Sequence, residues 1–248
     1  MKQVTFDFAG KNFIVTGASS GMGKQIALEL AEAGANVLAV ARRGNELQKL
    51  KERYPDCIVP ASIDVCDEEK LEIAIKSFVS QYGKIDGAVH AAGISILTPL
   101  KVYDEKEAKQ VMDISFWAGV KLMQIATKAK YSNIGASFLA FSSVSALHTE
   151  KGLFAYASSK AAIKVAMKTF AKEVANRKLR VNIISPGWVN TNMTAGLETT
   201  HNLSEVASNS LLGYGEPEDV SGMVLFLLSD RAKWITGTDV IVDGGYLA

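Results

Sequence analysis

Short apolar runs rich in β-branched residues alternate with longer segments of helical periodicity along almost the whole chain. Strands are predicted at 13–16, 37–41, 58–63, 85–90, 136–141, 180–184 and 240–242, and helices at 21–33, 46–53, 68–82, 105–131, 154–176 and 217–229. Strands that are separated by helices need crossover connections, so we expect a parallel sheet with helices on both faces. The pattern predicts an α/β chain with a doubly wound sheet of about seven strands.

The chain has 248 residues, without an internal repeat, a low-complexity linker or a break in composition, which predicts one domain over 1–248. Its formal net charge is +1, so no basic excess favours nucleic acid or an anionic membrane as a partner. The segment 187–213 is polar, weakly periodic and long for a connection, which predicts a substrate lid within the domain.

Cysteine and histidine usage favours an intracellular protein without a metal. Cys57 and Cys66 show neither CxxC spacing nor another metal-binding pattern, and we interpret them as reduced thiols. Three scattered histidines predict no metal site. The first residues do not resemble a signal peptide and no apolar stretch is as long as a membrane span, so we expect a cytoplasmic protein.

A glycine-rich turn, TGASSGMG at 16–23, lies between the first predicted strand and the first predicted helix. A backbone that closely approaches a pyrophosphate has no room for side chains, and the N-terminus of the following helix offers unpaired N–H groups. In this strand–turn–helix context the motif predicts dinucleotide binding and a Rossmann-type fold. A glycine turn that serves packing alone is the alternative.

The residues that end the second strand, Ala41-Arg42-Arg43, bear on the choice of cofactor. An acidic residue here would bind the ribose diol of NAD, whereas a nearby arginine accommodates the 2′-phosphate of NADP. Since no carboxylate is present, Arg42 is predicted to stack on the adenine and bind the phosphate, with Ser19 adding a hydroxyl. NADP(H) is the predicted cofactor, unless the two arginines form only a solvated helix entrance.

Tyr156 and Lys160 form a YxxxK pair that lies on one face of a predicted helix. A neighbouring cation would lower the phenol pKa from about 10, so that Tyr156 could exchange a proton with substrate. Ser143 follows the fifth strand, at the edge where parallel sheets bind ligands, and would donate to a substrate carbonyl. The YxxxK pair by itself is also compatible with an ordinary amphipathic helix.

These motifs together resemble the classical short-chain dehydrogenases/reductases across nearly the whole chain, and the 3-oxoacyl-carrier-protein reductases among them. The resemblance implies a carbonyl or alcohol oxidoreductase, selects Ser143 over Ser142, and implies that Lys160 also holds the nicotinamide ribose. The motifs that carry it are TGASSGMG, Asp64-Val65, His90-Ala91-Ala92-Gly93, Ser143, Tyr156, Lys160, Pro186-Gly187 and Val242-Asp243-Gly244-Gly245.

The resemblance also implies contacts around the cofactor and substrate. Asp64 and Val65 would bind adenine, although Asp64 could instead cap a helix; Val189 and Thr191 would hold the carboxamide, and Trp188 would line the pocket or simply pack. The predicted cofactor-binding residues are Gly17, Ser19, Ser20, Gly21, Met22, Gly23, Arg42, Arg43, Asp64, Val65, Ala91, Ala92, Gly93, Tyr156, Lys160, Pro186, Gly187, Val189 and Thr191. The predicted substrate pocket comprises Ser95, Ile96, Ser145, His148, Phe154, Trp188 and Met193.

Two positions depart from the family pattern. Ser115 stands where the family usually has an asparagine that supports a water chain to the lysine, and it is predicted to be the fourth catalytic residue, with its relay role open. His90 stands where the family commonly has an asparagine, and we expect a hydrogen-bonded histidine at the end of a strand rather than a catalyst.

The leading hypothesis is an NADP(H)-dependent enzyme that reduces a 3-oxoacyl thioester or similar ketone to an alcohol by hydride transfer. An alcohol, sugar or steroid dehydrogenase is one alternative, and a weakly catalytic NADP(H)-binding relative with Ser115 in the relay position is another. The expected partners are a small carbonyl or alcohol, which a carrier protein could present to Lys128 and Arg177 if these are not ordinary exposed cations. A homotetramer or homodimer that pairs helices 105–131 and 154–176 is also implied, unless their apolar faces only pack on the sheet.

Overall fold

A single sheet of seven parallel strands organises the chain in the computed structural model, which describes residues 4–195 and 209–248. The strand order is β3-β2-β1-β4-β5-β6-β7. The strands are β1 (Asn12–Thr16), β2 (Asn36–Ala41), β3 (Ile58–Ser62), β4 (Ile85–His90), β5 (Ser132–Phe141), β6 (Arg180–Pro186) and β7 (Asp239–Val242). The predicted α/β class and seven-stranded, Rossmann-type parallel sheet are confirmed.

Helices cover both faces of the sheet and bury two separate apolar clusters. The helices are α1 (Gly21–Glu32), α2 (Gly44–Arg53), α3 (Glu68–Tyr82), α4 (Glu105–Met112), α5 (Ala118–Ala126), α6 (Phe154–Glu173), α7 (Asn192–Ala195) and α8 (Pro217–Leu228). Successive strand residues point to opposite faces, so Phe13 and Val15 of β1 join one cluster while Ile14 joins the other. This two-sided burial explains why the strands are continuously apolar.

The segment predicted as one long helix over 105–131 differs from a regular α-helix. A π turn at Asp113–Trp117 separates α4 from α5. α5 ends at Ala126, five residues before the predicted end of the helix, and β5 begins at Ser132. A π turn inserts one extra residue into a helix, and tertiary contacts stabilise this irregularity. The spacing of apolar residues in the sequence does not reveal it. The turn places Ile114 and Ser115 in the interior.

The strand order reverses between β1 and β4, so crossovers leave in opposite directions there and open a crevice at the carboxyl edge. Of the predicted lid at 187–213, residues 187–195 and 209–213 are described and include α7, while 196–208 lie outside the described residues. In the part of the chain that is described, no helix is long and apolar enough to cross a membrane and no side-chain cluster could hold a metal.

Candidate active site

The glycine-rich turn is packed backbone against backbone on the segment that follows β4. A Cβ on Gly17, whose φ is 72°, would lie 2.7 Å from the amide nitrogen of Ala92. A Cβ on Gly23 would lie 2.5 Å from the carbonyl oxygen of Gly17. Both positions therefore require glycine, and the missing side chains leave space at the N-terminus of α1.

A cleft of about 270 Å³ opens in front of this turn. The predicted cofactor-binding residues that line it are Gly17, Ser19, Ser20, Gly21, Met22, Gly23, Arg42, Arg43, Asp64, Val65, Ala91, Ala92, Gly93 and Thr191. Its lining also includes Ala41, where the sequence analysis noted the absence of an acidic residue, and Ile63, Ile94, Ile114 and Asn192, which the sequence did not single out. The structure thus brings together segments that follow four neighbouring strands and β6.

Five of the predicted cofactor-binding residues lie outside the described lining of this cleft. Tyr156 and Gly187 border a smaller cavity beside it, and Lys160 is buried behind it. Pro186 ends β6, and the carbonyl of buried Val189 accepts a 2.6 Å hydrogen bond from the Thr194 hydroxyl. The predicted carboxamide contact of Val189 therefore stays a prediction.

Arg43 lies next to the glycine-rich turn, at the place beside Ser19 for which we predicted Arg42. Its guanidinium donates to the hydroxyl of Ser19 at 2.9 Å and to that of Ser20 at 2.6 Å. Arg42 also lines the cleft, and its backbone carbonyl accepts from the Ser62 hydroxyl. Which of the two adjacent arginines reaches Ser19 depends on the direction in which the backbone leaves β2. Two identical residue types in a row do not reveal that direction.

Asp64 and Asp67 divide the two roles that the sequence left open. Asp67 caps α3 by accepting a 3.1 Å hydrogen bond from the amide of Lys70. Asp64 accepts from the amide of Cys66 at 3.0 Å and lines the cleft beside Val65. Since Asp67 supplies the cap, Asp64 is placed where the adenine contact was predicted.

Ser143 and Tyr156 meet where the end of β5 faces the first turn of α6. The Ser143 hydroxyl lies toward the Tyr156 phenol and acts to lower its pKa, and Ser143 Oγ accepts from the amide of Ser145 at 3.1 Å. The neighbouring Ser142 instead donates to the Lys160 carbonyl, which ties β5 to α6. The structure therefore places Ser143 at the site and gives Ser142 a structural contact.

Lys160 lies one helical turn after Tyr156 and is almost fully buried. Its Nζ donates to the Phe141 carbonyl at 2.9 Å and lies 5.6 Å from the centre of the Tyr156 ring. Burial lowers the pKa of Lys160 to about 8. Burial also raises the pKa of Tyr156, and the Ser143 hydroxyl offsets this only in part. The lowering expected from Lys160 is not found in the protein alone: burial raises the pKa of Tyr156, and the group that opposes this is Ser143.

Ser115, on the π turn, converges with Lys160 on Gly93. A Cβ on Gly93 would lie 3.2 Å from Lys160 Nζ and 3.4 Å from Ser115 Oγ. Ser115 Oγ is buried, and among the described residues it has no hydrogen-bond partner. Because a buried hydroxyl without a partner costs about 1–3 kcal/mol, this atom marks a place for a water or ligand polar group.

His90 connects the glycine-rich turn to the π turn. Its Nε2–H donates to the Ile114 carbonyl at 3.2 Å, and its Nδ1 accepts from the Thr16 hydroxyl at 3.0 Å. Burial lowers the pKa of His90 to about 3, so the ring is neutral. The amide of Ala92 donates to the same Thr16 hydroxyl at 3.4 Å. The histidine is hydrogen bonded at both nitrogens, as we expected of a strand-end residue.

The smaller cavity, of about 60 Å³, lies beside Ser143 and Tyr156. Four predicted substrate residues line it: Ser95, Ser145, Trp188 and Met193. Its lining also includes Gly187, which was predicted to bind the cofactor, and Val144, Leu153 and Thr194, which the sequence did not single out. Ile96, His148 and Phe154 lie outside this described lining; the ring of His148 contacts Tyr246 and that of Phe154 contacts Tyr103.

Lys128 and Arg177 both make contacts within the chain. Lys128 pairs with Glu72 at 2.9 Å. Arg177 donates to the carbonyls of Thr127 and Ser132, so it satisfies backbone groups just beyond α5. These contacts favour the interpretation as ordinary cations at helix ends over a carrier-protein contact.

Comparisons with known proteins agree in pointing to one family. A family model described as Enoyl-(Acyl carrier protein) reductase matches residues 17–247. A 3-oxoacyl-[acyl-carrier-protein] reductase of Thermotoga maritima is 32% identical over 95% of this chain and 97% of its own. A short-chain dehydrogenase/reductase from Brucella melitensis has a TM-score of 0.92 and 25% identity, covering 98% of this chain and 99% of that one. The chain belongs to the short-chain dehydrogenase/reductase family.

Another member of the family shows a ligand-bound site on the same fold. A 7α-hydroxysteroid dehydrogenase complexed with NADH and 7-oxo glycochenodeoxycholic acid has a TM-score of 0.91 and 26% identity, covering 96% of this chain and 95% of that one. Together with the reductase relative and the family match, this structure supports the prediction of a carbonyl or alcohol oxidoreductase. The protein is an oxidoreductase that interconverts a carbonyl and an alcohol with a nicotinamide cofactor.

Proposed function

We propose that the protein uses NADPH to reduce the carbonyl group of a 3-oxoacyl thioester or a similar ketone. The observation that carries this proposal is that Ser143 and Tyr156 lie together in the wall of the small cavity. Met193 lines both this cavity and the cofactor cleft, so the two spaces adjoin. A carbonyl in the small cavity would meet both hydroxyls at the border of the cleft.

The residues of the cleft fit a dinucleotide. The backbone at Gly17 and Gly23 excludes side chains, and α1 begins without an acidic residue in its first turn, so its N-terminus can accept a pyrophosphate. Asp64 and Val65 would bind the adenine, while Thr191, Lys160 and Gly93 would lie toward the nicotinamide. When bound, the reduced nicotinamide supplies the hydride.

The preference for NADP(H) over NAD(H) rests on the cluster of Arg43, Ser19 and Ser20. A guanidinium and two hydroxyls at one place offer several donors to a phosphate monoester, and the cluster has no carboxylate to accept from both hydroxyls of a ribose diol. Buried Ala41 occupies the end of β2, where an acidic residue would favour NAD. Family relatives differ in this respect, since the steroid dehydrogenase structure holds NADH.

In the proposed mechanism the Ser143 hydroxyl orients the substrate by donating a hydrogen bond to the carbonyl oxygen. Tyr156 transfers its proton to the same oxygen. Lys160, with a pKa of about 8, is charged at neutral pH and stabilises the phenolate that Tyr156 becomes. The buried hydroxyl of Ser115 and Lys160 Nζ both face Gly93. Ser115 would hold a water that returns the proton through Lys160.

A reductase assay tests the proposed function directly. Purified protein is mixed with NADPH or NADH and with acetoacetyl-CoA, simple ketones or quinones, and the loss of reduced nicotinamide absorbance is followed. We expect turnover of at least one ketone, with NADPH preferred. Tight NADPH binding without turnover of any of these compounds would contradict the proposal and favour a cofactor-binding protein that is not a reductase.

We also propose that the protein assembles as a homodimer or homotetramer through α5 and α6. Trp117, just before α5, and Val165, on α6, keep 53% and 64% of their surface exposed. Such apolar side chains favour an interface between helices over packing on the chain's own sheet. Light scattering on the eluted protein measures its mass, and a monomer mass would contradict this proposal.

A further inference from the structure

Tyr246, which follows β7, makes side-chain contacts to two separate segments near the small cavity. Its hydroxyl donates to the Glu150 carboxylate at 2.8 Å, and the Trp188 indole lies toward the same hydroxyl and acts to lower its pKa. Its ring contacts His148 edge-on, with ring centres 5.7 Å apart. We call the contacts of this hydroxyl with Glu150 and Trp188 the Tyr246 clamp.

Each partner of the Tyr246 clamp belongs to a wall of the small cavity. Trp188 lines the cavity directly, on the segment that follows β6. Glu150 lies in the connection before α6, and its carbonyl accepts a hydrogen bond from the amide of Leu153, which lines the opposite wall. The clamp therefore joins two walls that are distant in sequence.

The segment that carries Tyr246 is itself held in place. Asp243 accepts hydrogen bonds from the amides of Gly245 and Leu247 at 2.9 and 3.0 Å. The Gly244 carbonyl accepts from the amide of Leu212, and a Cβ on Gly187 would lie 2.6 Å from the Cα of Asp243. Tyr246 is thus presented by a backbone that is packed against the base of the Trp188 segment.

We propose that Tyr246 is a positioning residue that sets the width of the substrate pocket by holding Trp188 and the Glu150–Leu153 connection together. This inference rests on the proposed function insofar as the small cavity receives the carbonyl substrate. Tyr246 does not border the cavity in the described structure, so it acts through Trp188 and Leu153 and not on the reacting carbonyl.

The Tyr246→Phe variant keeps the ring against His148 and removes the hydroxyl with both of its contacts. For the ketone that the wild type reduces, we expect KM to rise about tenfold, because a hydrogen bond to a charged group contributes about 1.5 kcal/mol or more. We expect kcat to change less than twofold and the Kd for NADPH to stay the same. The matched control is Tyr82→Phe, since the Tyr82 hydroxyl contacts only the exposed Gln81 among the described residues.

Variants of Glu150 separate the hydrogen bond from the charge. Glu150→Ala removes the Tyr246–Glu150 hydrogen bond and should raise KM by no more than Tyr246→Phe does, and the double variant should be no worse than Tyr246→Phe alone. Glu150→Gln keeps an acceptor for the Tyr246 hydroxyl and should restore nearly the wild-type KM. An unchanged KM in Tyr246→Phe, or additive effects in the double variant, would overturn the proposal.

Fluorescence tests the clamp without any substrate. Replacing Trp117 and Trp234 by Phe leaves Trp188 as the single tryptophan of the chain. Tyr246→Phe in this background should shift the emission of Trp188, whereas Tyr82→Phe should leave it unchanged. If the wild type reduced no carbonyl compound, the proposed function would fail while this shift would still report on the clamp; absence of the shift would refute the clamp itself.

Discussion

The cofactor side and the substrate side of the carboxyl edge are built in different ways. On the cofactor side, the shape comes from backbone: the Gly17 and Gly23 positions leave no room for a Cβ, and the α1 N-terminus faces the cleft. On the substrate side, the walls consist of side chains such as Trp188 and Leu153, which are held by hydrogen bonds between separate segments. Small backbone changes should therefore damage the first side, and loss of single polar atoms should damage the second.

Removing one oxygen on the substrate side should have the largest effect. Tyr156→Phe eliminates the proposed proton donor, and general acid catalysis contributes about 10²- to 10⁴-fold, so we expect kcat to fall about 1,000-fold. The Kd for NADPH should change less than threefold, which calorimetry can measure. A kcat within tenfold of the wild type would remove Tyr156 from the proposed mechanism.

Adding one carbon on the cofactor side should have the next largest effect. In Gly23→Ala the new Cβ would lie 2.5 Å from the Gly17 carbonyl oxygen, so the turn must shift. We expect the Kd for NADPH to rise about 100-fold by titration of nucleotide fluorescence, from the roughly 3 kcal/mol that overpacking can cost. Gly222→Ala on α8 is the control, because a Cβ there meets nothing within 4 Å among the described residues. If Gly222→Ala weakened NADPH binding as much as Gly23→Ala does, the close backbone contact at Gly23 would not explain the loss.

The cofactor side also has one feature that depends on side chains. Arg43→Ala should weaken NADPH binding about 10- to 100-fold, since hydrogen bonds to a charged group contribute about 1.5–3 kcal/mol, and should leave NADH binding unchanged. Arg42→Ala serves as the adjacent control, with a smaller expected loss. A larger loss in Arg42→Ala would restore the assignment that the sequence suggested.

The pH dependence of stability distinguishes His90 from Lys160 by the pH range in which each acts, since both make stability rise with pH. His90 has a folded-state pKa of about 3, below the usual 6.5, so the unfolded chain binds the extra proton first and stability falls as pH falls below about 6.5. Lys160 has a pKa of about 8, below its usual 10.5, so stability rises with pH between these values. Each slope approaches about 1.4 kcal/mol per pH unit.

Urea unfolding at several pH values measures both slopes. His90→Asn should remove the loss in acid while leaving the alkaline rise, and Lys160→Met should do the opposite. If the His90→Asn variant kept the full acid slope, carboxylates and not His90 would account for the loss of stability in acid.

Much of the fold and of the cofactor site could be predicted from the sequence. α3 and β4 begin and end at the predicted residues, because apolar runs bounded by Asp67 and Gly83 leave little choice. The glycine-rich turn could be placed for a similar reason, since its local sequence dictates its backbone. The pair of Ser143 and Tyr156 followed from a strand end and a family spacing.

What could not be predicted depends on contacts between distant residues. The π turn at Asp113–Trp117 is stabilised by His90, a residue of β4, and no local pattern in the helix marks it. That Arg43 is hydrogen bonded to Ser19, where the sequence predicted Arg42, depends on the path of one peptide after β2. His148 was predicted to line the pocket, but it lies outside the described lining and contacts Tyr246, because only the folded sheet brings the segment after β7 beside it.

The Tyr246–Glu150 hydrogen bond has a consequence for the order of folding. It joins residues 96 positions apart in the chain, whereas the bond between Arg43 and Ser19 joins residues 24 positions apart. Each doubling of a closed loop adds about 0.6 kcal/mol of entropic cost, so two doublings add about 1.2 kcal/mol. The Arg43–Ser19 contact can therefore form early in folding, and the substrate pocket acquires its final width only when the last strand has docked.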